Sequence, residues 1–180
     1  MEAIGKYSAL KQAIEHACRL LAKHSTRSSQ NTPCVCFDID DTLIFDDSRQ
    51  TPNVQVKHLL DVARAHGYKI HLITAREKSP EVIRWTRDEL RRHCVYYDTL
   101  ALCPKTKRNS MQEVSAWKHS ERAKKTNCIL SVGDQWGDLM TLENDEHIKI
   151  MDTKHGTKDS PWILFSKPDS SALYGLKLMA

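Results

Sequence analysis

Apolar runs that alternate with helical patterns are the feature that most constrains the fold of this 180-residue chain. The runs are predominantly apolar and do not alternate strictly with polar residues, which is typical of strands covered on both faces of a sheet. The runs are Cys34–Ile39, Lys69–Thr74, Thr99–Cys103, Asn127–Val132 and His147–Met151. Helical patterns lie between them at Val54–His66, Pro80–His93 and Trp117–Lys125. This alternation predicts an α/β fold, a Rossmann-like three-layer sandwich with a central, mostly parallel sheet of five strands.

The length suits a single domain with one hydrophobic core. We expect one domain over residues 1–180, made of an N-terminal helix and lead-in (1–30), a core (34–151) and a C-terminal extension (152–180). The first residues form an amphipathic helical pattern without the apolar segment of a secretory signal, and no apolar run could span a bilayer. We therefore expect a cytoplasmic protein with no membrane partner, whose first helix packs on the core or on a second copy of the chain.

The cysteines favour the same compartment. They are Cys18, Cys34, Cys36, Cys94, Cys103 and Cys128. None forms a C-x-x-C pair, so the spacing gives little support to a structural zinc site. Several lie in apolar runs, where a reduced cysteine behaves as a small hydrophobic residue, and reduced thiols are typical of the cytosol.

Positive charge is concentrated in two segments of a chain whose net charge is +4. Residues 104–125 contain seven bases and two acids. A second group, Arg84, Arg87 and Arg91, recurs at helical spacing. Such a stripe indicates either an ordinary solvated helix face or a surface that attracts anions.

Acidic residues follow the first and fourth predicted strands. Asp38 and Asp40 lie two apart, so on a continuing strand their side chains would share a face. Asp134 follows the fourth strand, with Asp138 close behind. Because ligands bind beyond the carboxyl ends of parallel strands, we expect these acids to converge at one edge of the sheet. Carboxylate oxygens completed by waters suit Mg²⁺.

Hydrogen-bond donors are expected opposite these acids. Thr42 follows the first strand, Thr74 ends the second, and Lys118 is expected to begin the helix before the fourth. Carboxylates, a hard cation, an ammonium group and hydroxyls together suit a phosphoryl group. The sequence therefore predicts a site for phosphate chemistry.

Four motifs in order resemble the haloacid dehalogenase (HAD) superfamily of aspartate-nucleophile phosphatases. They are D-I-D-D-T (38–42), L-I-T-A-R (72–76), W-K-H-S-E-R (117–122) and S-V-G-D-Q-W-G-D-L (131–139). The last three are most similar to the class B-like acid phosphatase branch, subfamily IIIB, which includes plant vegetative storage proteins. The resemblance covers roughly residues 34–151, with a weaker match in the tail at 163–174.

The resemblance implies a role for each acid. Asp38 would be the nucleophile that forms an aspartyl-phosphate, and Asp40 would protonate the leaving oxygen and then deprotonate the attacking water. Asp38, the backbone carbonyl of Asp40 and Asp134 would hold Mg²⁺. Asp138 would orient Lys118 or a metal-bound water.

The resemblance also implies which groups hold phosphate. Thr74 and Lys118 would bind the phosphoryl oxygens, and we expect Thr42 to contribute. Lys105 is a rival for the position of Lys118, although W-K-x-x-x-R before the fourth strand favours Lys118. Arg76 would either touch substrate or pair with a nearby acid.

Three other side chains have ordinary interpretations. We expect Asp41 to be a solvated turn residue and His71 to be structural. Trp136 would pack, or else stack on a base or an aromatic leaving group.

The short segments 42–68 and 103–118 leave no room for a large cap, so we expect an essentially capless HAD core. One function is a Mg²⁺-dependent phosphomonoesterase, with phosphotransfer to an alcohol as a variant. A second is the same chemistry on a macromolecule, either a polynucleotide end or a phosphoprotein. A third is a non-catalytic module that binds anions. The expected partners are a phosphorylated small molecule or macromolecule, nucleotides and nucleic acids included.

Overall fold

The computed structural model describes residues 2–23, 32–45, 50–125, 128–138, 146–149, 162–165 and 174–177. The helices are α1 (Glu2–Lys23), α2 (Val54–Ala65), α3 (Pro80–Arg92) and α4 (Met111–Ala123). The strands are β1 (Cys34–Phe37), β2 (Lys69–Glu77), β3 (Thr99–Cys103), β4 (Cys128–Gly133), β5 (Glu146–Lys149), β6 (Trp162–Phe165) and β7 (Tyr174–Lys177). Short 3₁₀ turns lie at Lys105–Lys107 and Trp136–Asp138. Among these residues, no helix is both long and apolar enough to cross a membrane.

The strands form one sheet in the order β3-β2-β1-β4-β5-β6-β7. β1 lies at the centre of the parallel part, between β2 and β4. β5 pairs parallel to β4, while β6 and β7 are antiparallel. The predicted α/β fold and its parallel sheet are confirmed in β1 to β4. The expected count of five strands is not confirmed, since the described residues form seven. Two of those strands lie in the segment 152–180, where the sequence predicted only an extension.

Alternate residues of β1 face two different layers. Val35 and Phe37, with Ile39 beyond the strand, pack into a core that includes residues of α1 and α2. Cys34 and Cys36 face the opposite side, where Val114 and Trp117 of α4 cover them. This explains the continuously apolar run, because both faces of the strand are buried.

The helix α4 begins earlier than predicted. Ser110 caps it, and the Ser110 hydroxyl accepts a hydrogen bond from the Glu113 N–H at 3.2 Å. The S-x-x-E pattern at 110–113 is the capping signal that the sequence analysis overlooked. The prediction that Lys118 begins this helix is therefore wrong, because Lys118 lies in its middle.

The first two strands also end differently from prediction. β1 stops at Phe37, since the Ile39 carbonyl accepts hydrogen bonds from a tight turn that includes Leu43 and Ile44. β2 continues through Glu77, so Arg76 lies in a strand and follows Thr74 on the same side. In the last predicted strand, residues 150–151 lie outside the described residues.

Candidate active site

Asp38 is the first residue beyond β1, and its backbone remains attached to the sheet. Its N–H donates to the Val132 carbonyl of β4 at 3.0 Å. Its side chain is only 3% exposed. The Lys118 ammonium donates to Asp38 Oδ1 at 2.9 Å. The structure thus brings together two residues that are 80 positions apart in the sequence.

Asp138 holds the other side of this ammonium group. Lys118 Nζ donates to Asp138 Oδ1 at 2.7 Å, and Arg122 Nη2 donates to the same oxygen at 3.3 Å. The Gln135 N–H donates to Asp138 Oδ2 at 3.1 Å. Both oxygens of Asp138 are therefore engaged by protein donors. Since the side chain is fully buried, Asp138 is suited to positioning Lys118.

Two glycines allow this close packing. A Cβ on Gly133 would lie 2.2 Å from the Asp138 Cβ, and one on Gly137 would lie 2.1 Å from the Ser115 hydroxyl. The absence of a Cβ at Gly133 lets the chain fold back so that Asp138 lies over the end of β4. The same absence at Gly137 lets the 3₁₀ turn approach α4, the helix that carries Lys118.

Burial and neighbouring charge disfavour ionised acids at this edge. Burial, with the charge of Asp138, raises the pKa of Asp38 well above its ordinary value. The same two causes raise the pKa of Asp134 to about 6. Burial alone would lower the pKa of Lys118, but the charges of Asp138 and Asp38 outweigh it and raise that pKa. The Lys118 ammonium therefore remains charged. The positive charge near Asp38 and Asp134 is too small to offset the burial of these acids and the charge of Asp138.

The donor set fits a divalent cation. Each of Asp38, Asp134 and Asp138 has a carboxylate oxygen within 4.8 Å of the others. Lys118 and Arg122 supply two positive charges against three carboxylates. The remaining negative charge and the hard oxygen ligands match the preferences of Mg²⁺. Asp38 and Asp134 are the better ligands of the three, because Asp138 is already saturated by hydrogen bonds.

Asp40 lies in a different environment, where Arg76 holds it. Arg76 Nη2 donates to Asp40 Oδ1 at 2.6 Å, and Arg76 Nε contacts both carboxylate oxygens at 3.0 and 3.1 Å. Arg76 Nη1 donates to Glu89 Oε2 at 2.5 Å and to the Thr86 hydroxyl at 3.2 Å. The guanidinium carbon lies 4.4 Å from the centre of the Trp85 ring. Of the two roles considered for Arg76, pairing with an acid is the one that the structure contains.

The two threonines differ in how they are engaged. The Thr74 hydroxyl donates to Asp40 Oδ2 at 3.2 Å and accepts from the Arg76 N–H at 3.2 Å. The Thr42 hydroxyl is fully buried and has no hydrogen-bond partner among the described residues. A buried hydroxyl without a partner is costly.

The other residues that the sequence singled out lie in turns or on β2. Lys105 is exposed on the 3₁₀ turn after β3, whereas Lys118 is at the acids. Asp41 is in a turn with a φ of 54°. The His71 Nδ1 lies 2.5 Å from the Thr99 hydroxyl. Trp136 is within a 3₁₀ turn, but its side chain is outside what the structure describes.

The sequence analysis missed Arg122, Glu89 and Trp85. Arg122 follows Lys118 by one helical turn, which places both on one face of α4. The count of bases in residues 104–125 treats all seven alike and misses this spacing, although Lys118 and Arg122 are both buried in the site. Glu89 carried no local signal, because a buried acid on a helix looks like any other acid in the sequence.

Residues 45–158, more than half of the chain, match the family described as HAD superfamily, subfamily IIIB (Acid phosphatase). The matched segment begins after Asp38 and Asp40 and includes Thr74, Lys118, Asp134 and Asp138. No curated protein matches the chain in sequence.

Two solved structures share the fold. The class C acid phosphatase from Bacillus anthracis is 14% identical, with a TM-score of 0.56 over 74% of this chain and 64% of that one. A chain of the Pnkp1/Rnl/Hen1 complex is 18% identical, with a TM-score of 0.54 over 72% of this chain and 50% of that one. The present chain thus spans less than two thirds of either structure.

Proposed function

Because the chain belongs to subfamily IIIB of the HAD superfamily, the acid phosphatase family, we propose that it is a Mg²⁺-dependent phosphatase that hydrolyses phosphomonoesters through an aspartyl-phosphate. The observation that carries this proposal is the Lys118 ammonium held between Asp38 and Asp138, beside Asp134. Phosphoryl transfer depends mostly on alignment and charge neutralisation, and this arrangement supports both.

In the first step, an Asp38 oxygen forms a bond to phosphorus while the bond to the leaving oxygen breaks. Asp40 gives its proton to that oxygen, so the product alcohol leaves neutral. In the second step, Asp40 takes a proton from water as the water oxygen attacks phosphorus. The bond between phosphorus and Asp38 then breaks, which regenerates the carboxylate and releases phosphate.

Asp38, Asp134 and the backbone carbonyl of Asp40 are the groups that we propose to hold Mg²⁺. When bound, the cation would neutralise charge on the phosphoryl oxygens and on the two acids. Lys118 supplies a permanent positive charge beside the nucleophile. The unpartnered Thr42 hydroxyl and, after rotation away from Asp40, the Thr74 hydroxyl are suited to donate to phosphoryl oxygens.

We propose that the core is essentially capless and forms one domain. Between β1 and β2, the described residues form one turn and α2, and between β3 and α4 they form one short 3₁₀ turn. All six cysteines are free, which suits the reducing cytosol that we propose as its location.

The first experiment is hydrolysis of a generic aryl phosphate with Mg²⁺, with a chelator, and by the Asp38→Asn variant. We expect turnover with Mg²⁺ and loss of turnover in the other two cases. Asp61→Asn is the matched control, because Asp61 pairs with Lys57 on α2, outside the site. Turnover that survives Asp38→Asn would reject Asp38 as the nucleophile.

A macromolecular substrate is the second candidate, and one surface feature favours it. A groove of about 630 Å³ runs along α3 and the segment that follows it. Arg84, Arg87 and Arg91 line it together with Tyr96 and Tyr97. Arginines can contact backbone phosphates, and tyrosines can stack on bases, which suits a single-stranded polynucleotide end.

Salt dependence tests this candidate. The kcat/KM for hydrolysis of a terminal phosphate on an oligonucleotide should fall steeply as the salt concentration rises. The same quantity for the aryl phosphate should change little. The double variant Arg84→Ala/Arg91→Ala should raise KM for the oligonucleotide and reduce its salt dependence. Arg92→Ala, on the same helix but outside the groove lining, is the control. Equal effects of the two variants would reject the groove as the binding surface.

A further inference from the structure

Three cysteine sulfurs meet in the core on the α4 side of the sheet. Cys34 and Cys36 come from β1 and Cys128 comes from β4, and the three Sγ atoms lie within 4.8 Å of one another. Cys128 Sγ is 3.3 Å from Cys36 Sγ. All three side chains are buried, with exposures between 0% and 6%. Three soft ligand atoms are therefore held at one point of the fold.

A β-bulge is what turns Cys128 towards the other two sulfurs. Cys34 pairs with Cys128, but Val35 pairs with Leu130, so β4 contains an extra residue at this point. In a regular strand, Cys128 would face the same side as Leu130, which packs in the core on the other face. The bulge reverses this orientation, as bulges do when they redirect a side chain.

The spacing of the sulfurs suits a single metal ion. A zinc–thiolate bond is about 2.3 Å, so three thiolates around one ion lie about 4 Å apart. One separation is 3.3 Å and the other two are no longer than 4.8 Å, so the three sulfurs are close enough to share one ion after small side-chain adjustments.

The surroundings favour a soft cation over a hard one. Ile73, Val114 and Trp117 pack around the sulfurs. The nearest oxygens to Cys128 Sγ are neutral, the Leu130 carbonyl at 3.3 Å and the Ser131 hydroxyl at 3.8 Å, and no carboxylate is part of the cluster. The positive charge of Lys125 acts on Cys34 and would offset part of the charge of a thiolate site. Cys34 and Cys128 each begin a strand, which places the cluster near the edge of the sheet opposite Asp38.

We propose that Cys34, Cys36 and Cys128 form a three-thiolate site for a thiophilic cation with a filled d shell, Zn²⁺ or Cu⁺. Thiolates select such ions, whereas Mg²⁺ prefers the carboxylates at the other end of β1. On binding, each thiol loses its proton to solvent and the oxidation state of sulfur does not change. The cation would join β1 to β4, the two strands that lead to Asp38 and Asp134. This proposal does not depend on phosphatase activity.

The absence of a C-x-x-C pair argued against zinc in the sequence. That argument holds for a site built from one turn, where two ligands are close in the chain. Here the third ligand comes from a neighbouring strand 92 residues beyond Cys36, and local spacing cannot reveal it.

The test uses the full chain, reduced and stripped of metal under anaerobic conditions. Co²⁺ serves as a spectroscopic probe for Zn²⁺, since thiolate ligands give it charge-transfer absorption that oxygen ligands do not. Competition with chromophoric chelators then measures the affinities for Zn²⁺ and for Cu⁺. We expect one equivalent of Zn²⁺ or Cu⁺ with release of protons, and no displacement by excess Mg²⁺.

Variants assign the sulfurs. Cys34→Ser and Cys128→Ser should each weaken binding by about 100-fold or more. Cys94→Ser removes an exposed thiol, and Cys103→Ser removes a buried thiol on the same face but outside the cluster, so both should bind as the parent does. Binding that is lost in Cys94→Ser and kept in Cys128→Ser would overturn the assignment.

Two measurements on the unmodified chain keep the proposal testable if a serine variant fails to fold. Stoichiometric Zn²⁺ or Cu⁺ should raise the thermal unfolding midpoint, because the ion binds a site that the unfolded chain lacks. Absence of both this rise and the charge-transfer absorption would overturn the proposal. So would formation of a disulfide between Cys36 and Cys128 under mild oxidation by glutathione disulfide, if the reduced chain binds neither ion.

Discussion

Asp38 and Asp40 are two residues apart, yet they occupy opposite environments. Asp38 is 3% exposed and shares one ammonium group with a second buried acid. The Asp40 side chain is 36% exposed and is held by a guanidinium group through three contacts. Glu89 and Trp85 hold that guanidinium from behind.

The difference shows how one short segment can supply two carboxylates for two tasks. The first acid lies in a buried site that lacks positive charge, which suits a nucleophile that works beside a cation. The second is oriented by a rigid fork at the surface, which suits a group that exchanges protons with a leaving oxygen and with water. Each prediction below changes one side of this contrast.

Replacement of the proposed nucleophile should have the largest effect. Asp38→Asn should lower kcat for an aryl phosphate by on the order of 10³-fold or more, because the amide cannot form the phosphoenzyme. Folding stability should not fall, since ionisation of Asp38 is already disfavoured by its burial. Steady-state kinetics and urea unfolding measure the two quantities. A drop in stability together with retained activity would show that Asp38 has a structural role and is not the nucleophile.

Loss of the ammonium group should be the most damaging change to the fold. Lys118→Met leaves Asp38 and Asp138 buried around an apolar side chain, and breaking such a pair costs about 3–5 kcal/mol. Urea unfolding at neutral pH checks this value. Lys124→Met is the control, because Lys124 forms an exposed pair with Glu121. If the two variants unfold at the same urea concentration, the Lys118 ammonium does not stabilise the buried acids.

Replacement of the Arg76 guanidinium that holds Asp40 should lower catalysis more than folding stability. Arg76→Lys keeps the charge but loses the several contacts to Asp40, and we expect kcat to fall by about 10- to 100-fold with KM little changed. Calorimetric Mg²⁺ binding is the control readout, because Arg76 contacts the side chain of Asp40 and none of the three groups that we propose to hold Mg²⁺. A loss of Mg²⁺ binding equal to the loss of kcat would show that the two regions are not separate.

The pKa of Asp134 predicts how the buried region responds to pH. A carboxyl whose pKa is raised to about 6 in the folded protein contributes stability that is present at low pH and lost as pH rises through 6. The metal-free protein should therefore lose this contribution between about pH 4 and pH 6. Mg²⁺ affinity should move the other way, rising with pH and bending near pH 6, where Asp134 loses its proton.

Titration calorimetry between about pH 5 and pH 8 measures that affinity, and thermal unfolding without metal measures the stability. Asp134→Asn should weaken Mg²⁺ binding and remove the bend near pH 6. A bend that persists in this variant would assign it to another acid.

The stacking of Trp85 on Arg76 should give the smallest effect. An exposed cation–π contact contributes about 0.5–1 kcal/mol, so Trp85→Leu should lower kcat by about two- to fivefold. Trp85→Phe keeps an aromatic face, so its kcat should lie between the kcat of Trp85→Leu and that of the unchanged protein. If Trp85→Leu instead raises KM with kcat unchanged, Trp85 contacts substrate and does not support Arg76.

The sequence predicted the parallel sheet because strands covered on both faces leave a visible apolar signal. The run from Cys34 to Phe37 and the helix from Pro80 carried such local signals, and both are present in the structure. Asp38 and Asp134, expected at strand ends, lie together for the same reason, since topology fixes where strand ends meet. Lys118 reaches them from the middle of α4 and not from its first turn.

What could not be predicted depends on contacts between distant elements. Glu89 reaches Arg76 from α3 and has no distinctive neighbour in sequence, whereas Arg122 could have been found from its one-turn spacing to Lys118. The bulge that turns Cys128 inward depends on the pairing of β1 with β4, which no short pattern encodes. The antiparallel strands β6 and β7 were missed because they follow a segment with no helical pattern to mark a crossover.

The central position of β1 has a consequence for how the protein is made. The strand leaves the ribosome early, but its partner on one side, β4, is synthesised only after α2, β2, α3, β3 and α4. Until then, a nascent chain can form β1, β2 and β3 with Asp38 on an open edge, still solvated and without strain. The charge conflict at Asp38 therefore arises only in the closing step, when long-range pairing is slowest. Cation concentration during synthesis should set the yield of this last step, and pulse proteolysis of stalled nascent chains at low and high Mg²⁺ would reveal it.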